Sequence, residues 1–98
     1  MHDENWYVNK YLDRLLQGDR ASKTLMFLDL SEEVIDLCKE NNATNPKDQV
    51  GFIKKVNDKW NRIGNIMKAK SGMNHDILLT DGFLRYYETK IPEIKEVE

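Results

Sequence analysis

Ninety-eight residues with a single cysteine hold one domain and no internal disulfide, which fits a reducing compartment. A formal net charge of −2 supplies no basic field for nucleic acid or an anionic membrane. The aliphatic and aromatic content is too high for a disordered chain. No apolar run reaches membrane length, and the opening Met1-His2-Asp3-Glu4-Asn5-Trp6 is too polar and acidic for a signal peptide, so the expected location is cytoplasmic. Alanine is scarce while Asn, Lys, Asp and Ile are plentiful, a bias that suggests an A/T-rich bacterium, phage or other mobile element.

Charge is unevenly placed along the chain. Residues 1–46 carry nine acids against five bases, residues 47–70 carry seven bases against two acids, and residues 71–98 carry six acids against three bases. The middle of the chain is therefore basic between two acidic flanks.

The first helix is predicted over about Asp3 to Gln17, ended by Gly18, with Tyr7, Val8, Tyr11, Leu12, Leu15 and Leu16 on one face. Trp6 falls on the opposite side with Lys10 and Asp13. It is either tucked under a neighbour at the first turn or an exposed aromatic anchor for a partner. A second helix is predicted over Arg20 to Asn41, with Phe27, Leu30, Val34, Leu37 and Cys38 as its main stripe. Leu28 and Ile35 widen that stripe and imply a second neighbour. Asp29 and Glu32 have the spacing of a capping box, which allows a break near Leu30. Asp29, Glu32, Glu33, Asp36 and Glu40 form an acidic ridge expected to face solvent.

The strongest pattern runs from Asn45 to Lys70. Asn45-Pro46 is a cap followed by proline at the first helical position, and Asp48 suits the positive end of the helix dipole. Ile53, Val56, Trp60, Ile63 and Met67 line one stripe, and Ser71-Gly72 stops the helix, which is roughly 37 Å long at 1.5 Å per residue. Trp60 is expected to be buried. The last segment reads as a helix from Asn74 to Lys90, with Gly82 tolerated inside it and Gly82→Ala neutral or slightly stabilising. The alternative is a hairpin about Asp81-Gly82 between Ile77–Thr80 and Phe83–Tyr87. The expected fold is thus all-α, a four-helix array packed along a long central helix, or else three helices plus a C-terminal β-hairpin. Residues 1–92 form one helical domain in this reading, and 93–98 a loose tail.

Tyr11-Leu12-Asp13-Arg14-Leu15-Leu16-Gln17-Gly18-Asp19-Arg20 resembles the opening helix of the helical cap that precedes cobalamin-binding domains. The Trp-x-x-Gly and Glu-His features of such caps are missing or shifted in this chain. Neither a cofactor nor a site residue is carried over from the likeness.

Nothing in the chain assembles catalytic chemistry. His2 and His75 have no metal-ligand partner at a recognised spacing, Cys38 lies on an apolar stripe without an activating base, and no glycine-rich loop follows a strand. No enzyme activity, metal or cofactor is expected. The expectation is a protein-interaction module: an adaptor, inhibitor or immunity-type protein, or a self-associating subunit. Its contact residues would be Trp6, the acidic Asp29, Glu33, Asp36 and Glu40, and the basic ridge Lys55, Lys59 and Arg62. In a homo-oligomer, most simply a symmetric dimer, one copy's acidic ridge would meet another copy's basic ridge with apolar residues such as Leu28 and Ile35 supplying the rest, and reversing Lys55, Lys59 and Arg62 to Glu would lower the mass while helicity is retained. The alternative is a nucleic-acid-binding regulator that uses Lys54, Asn57, Asn61, Arg62 and Lys68 of the central helix.

Overall fold

The computed structural model describes residues 2–72 and 82–88. Its elements are α1 (Glu4–Leu16), α2 (Ala21–Glu40), α3 (Pro46–Ser71) and α4 (Phe83–Glu88). All of the described secondary structure is helical, and α1, α2 and α4 each pack against α3, while α1 also packs against α2.

Local chemistry sets the ends of α3. Asn45 holds extended dihedrals and its side-chain oxygen accepts the Asp48 N–H at 3.0 Å, while Gly72 closes the helix at φ 64°, where a side chain would be strained. Ile53, Val56, Trp60, Ile63 and Met67 are all buried, as their spacing predicts. Trp60 is the largest fully buried side chain. Its ring meets Phe27 and Phe83 edge-on, with centroids 5.6 and 5.4 Å away. The indole N–H has no acceptor among the described residues, so apolar contact and not hydrogen bonding holds this ring.

In α1, Asp3 accepts the Trp6 N–H at 2.9 Å and starts the helix. Tyr7, Val8, Tyr11 and Leu15 enter the core, but Leu16, expected on the same face, is 48% exposed at the helix end. Gly18, at φ 85°, makes the turn into α2. That helix starts at Ala21, one residue later than expected, and the Asp19 carboxylate before it accepts the Ala21 N–H at 3.2 Å and the Ser22 hydroxyl at 3.1 Å. It runs unbroken past Leu30, with the Ser31 hydroxyl turned back onto the Phe27 carbonyl at 2.9 Å. Met26, Leu30, Val34 and Leu37 are its buried stripe. Among the described residues, Leu28 and Ile35 meet no second neighbour and stand 54% and 49% exposed.

The C-terminal segment is helical where it is described, over Phe83–Glu88, which removes the second arm of the alternative hairpin. The expected cap Asn74, the first arm 77–80, Asp81 and residues 89–98 lie outside the described residues. Phe83 stacks on Phe27 at 4.6 Å and is fully buried. The start of α4 is held by another helix: Asn57 of α3 accepts the Leu84 N–H at 3.1 Å. Gly82 sits against that cap. A Cβ there would stand 2.3 Å from Asn57 Oδ1 and 3.2 Å from Trp60 Cδ1. Gly82→Ala is therefore expected to be destabilising rather than harmless, because moving the Asn57 side chain aside gives up its bond to the Leu84 N–H and Trp60 stands behind it. The substitution should destabilise by about 1–3 kcal/mol, the usual scale of overpacking. Urea denaturation checks this, and a midpoint equal to that of the parent would contradict the packing described.

Candidate functional site

Two charged ridges are legible in the sequence, and the fold joins them within one molecule at a single pair among the described residues, Glu33 and Lys59. Glu33 faces α3 and is only 6% exposed, contrary to the expectation of a solvated ridge. Lys59 donates to both its carboxylate oxygens, at 3.1 and 2.9 Å, and the Tyr7 hydroxyl donates to one of them at 2.7 Å. The His2 backbone N–H approaches the same oxygen at 3.4 Å. Lys59 also donates to the His2 carbonyl and lies over the Tyr7 ring, 5.3 Å from its centroid. The physical reason is position: the α2 ridge begins next to the core stripe, so its inner member is covered by α1 and α3.

The neighbouring charges follow the same rule. Asp29 accepts the Tyr11 hydroxyl and has Lys10 Nζ at 3.5 Å. Glu4 accepts from Arg62 Nε at 3.0 Å, in a pair exposed enough to contribute little to stability. Burial first, and then the hydrogen bonds to Glu33 and Asp29, push the Tyr7 and Tyr11 hydroxyls above the usual tyrosine range. Both therefore remain donors. Burial also raises the Cys38 thiol, which opposes a thiolate role.

Trp6 settles between its two readings. It is partly buried, stacked on His2 at 3.6 Å, edge-on to Tyr7 at 4.9 Å and beneath Lys10 Nζ at 4.6 Å. It borders a polar cleft of about 390 Å³ between α1 and α2, with Asp29, Glu32, Glu33 and Asp36 on its α2 side. Four of the proposed contact residues, Trp6, Asp29, Glu33 and Asp36, thus share one cleft. Glu40 lies farther along α2, and Lys55 is exposed on α3. Of the alternative nucleic-acid set, Asn57 is engaged in capping α4 and Arg62 in its pair with Glu4, while Lys54, Asn61 and Lys68 are exposed.

Comparison with protein-family models, curated proteins and solved structures finds no match. The surface itself is then the only guide. Among the described residues, no three His, Cys, Asp or Glu side chains are grouped to hold a metal, and no helix is long and apolar enough to cross a membrane.

The outer face of α2 carries Leu28 and Ile35, for which a second neighbour is expected, and also Leu25. Leu25, Leu28 and Ile35 are 46%, 54% and 49% exposed. At 100° per residue they fall within about 80° of arc, so they form one stripe. Glu32 and Asp36 lie along it, exposed and without a partner among the described residues. The width of the apolar face of α2 is legible in the sequence; Leu25 is the member of the stripe that sequence reasoning leaves out.

Proposed function

We propose that this chain is a non-enzymatic protein-interaction module whose contact surface is the outer face of α2. The observation that carries the reading is the stripe of Leu25, Leu28 and Ile35, three large aliphatic side chains left half in water on a single helix. An adaptor, inhibitor or immunity-type role in the cytoplasm fits such a surface. A foreign protein suits it better than a second copy, because Lys59 and Arg62 are already engaged by Glu33 and Glu4 of the same chain. Assembly of acidic ridge on basic ridge would be left with Lys55 alone of the three expected cations.

Site-specific photo-cross-linking in the cells that express the chain tests this. A photoreactive residue at position 28 should yield a discrete protein adduct, and the same residue at position 61 on α3 should not. The pair Leu28→Asp and Ile35→Asp should abolish that complex while changing stability by no more than about 0.5 kcal/mol, as surface substitutions do. An adduct formed only from position 61, or one containing nucleic acid, would move the function to α3.

A further inference from the structure

The α2 face also carries a charge pattern that selects its occupant. Asp29 and Glu33 are balanced by Lys10 and Lys59, but Glu32, Asp36 and Glu40 are exposed with no cation of their own chain paired to them among the described residues. Lys39 is the one basic side chain among the exposed α2 residues from Leu28 to Glu40. From Leu25 to Ile35 the apolar stripe extends about 15 Å at 1.5 Å per residue, the length of roughly three helical turns. A partner helix of three to four turns would cover it, with anchors at i, i+3 or i+4, and i+7.

Resting on the reading of α2 as the contact surface, we propose that the partner presents a short amphipathic helix whose apolar stripe is bordered by lysine or arginine. Leu25, Leu28 and Ile35 take the apolar side chains, and Glu32 and Asp36 take the basic border. The contact is small, so the apolar stripe supplies the binding and the carboxylates set orientation and exclude acidic helices. Lys10 shows that this side of the molecule accommodates a cation. Its ammonium lies over the Trp6 ring and beside Asp29 at the cleft that Glu32 and Asp36 also border. An arginine at the end of the partner helix would reach the same cleft.

The test is selection of a helix-biased library of 16-residue peptides against the intact protein. Enriched peptides should pair an apolar i, i+3, i+7 stripe with flanking Lys or Arg. Their binding should be lost in the Leu28→Asp and Ile35→Asp variant. It should weaken at least tenfold in the Glu32→Lys and Asp36→Lys variant, whose substitutions are on the surface and leave the fold intact. Enriched peptides that need Leu28 and Ile35 but carry no basic border, and ignore Glu32→Lys and Asp36→Lys, would overturn this inference and leave α2 as the contact surface. Peptides that bind equally well to the Leu28→Asp and Ile35→Asp variant would overturn both.

Discussion

Lys59→Met should destabilise the protein by about 3–5 kcal/mol, the scale seen when one member of a buried ion pair is removed. Methionine keeps the apolar stem and the length of lysine, so the loss isolates the ammonium. The Glu33 carboxylate would remain 6% exposed with the Tyr7 hydroxyl and the His2 N–H as its donors. An anion buried with so little compensation is what makes the change costly. In a domain of this size the melting temperature should fall by roughly 15–25 °C. A fall of only a degree or two would mean that Glu33 reaches water and that the junction of α1, α2 and α3 is looser than described. The same contact changes the expected result of reversing Lys55, Lys59 and Arg62 together. Placing Glu at position 59 opposes a buried carboxylate, so helicity itself should suffer before any change in mass can be read.

The second large effect is expected at Trp60. Truncation to alanine should cost about 3–5 kcal/mol, because the ring joins α2, α3 and α4 through Phe27 and Phe83. A loss of that size is a substantial fraction of the stability of a domain with a reserve of about 5–15 kcal/mol. Trp60→Phe should cost clearly less, since the indole N–H makes no hydrogen bond among the described residues and only part of the apolar contact is lost. Calorimetry of both variants distinguishes these outcomes. Equal losses from Ala and Phe would point to a role for the N–H that the packing does not provide.

The helices were legible because each carries its own period and punctuation. Asn45-Pro46, Asp3 and Gly72 mark ends by chemistry that acts within a few residues, and the stripe through Trp60 needs nothing beyond the helical repeat. What could not be read was which charges would be covered. Glu33 and Asp36 look alike in sequence, but one is placed under α1 and α3 and the other is left in water. That difference depends on the angle at which helices cross, which local pattern does not encode. Tyr7 and Tyr11 held a clue, since tyrosine at a core position carries a hydroxyl that needs a partner. Their spacing of four residues points two donors along the same side of α1, toward the acids of α2. Asn57 was similarly hidden. In the sequence it falls beside Asn61 in the alternative nucleic-acid set, whereas its side chain caps a helix that follows it by more than twenty residues.

For the outward face, the ambiguity was of a different kind. Leu28 and Ile35 widen the apolar stripe of α2 enough to imply a second neighbour, but the pattern does not say whether that neighbour is a helix of the same chain or another molecule. Their exposure reflects the number of available neighbours and not their own pattern, so the candidate contact surface emerges only once the packing is known.

Within one molecule the acidic ridge of α2 meets the basic ridge of α3 through Glu33 and Lys59, and the outer face of α2 is left uncovered among the described residues. A double-mutant cycle on Glu33→Gln and Lys59→Met, followed by urea denaturation at several protein concentrations, tests it most directly. A coupling of about 1–3 kcal/mol, the usual size for groups in direct contact, is expected and should be unchanged on dilution. A coupling near zero, or one that grows with protein concentration, would contradict it, because the ridges would then be apart or would meet between molecules.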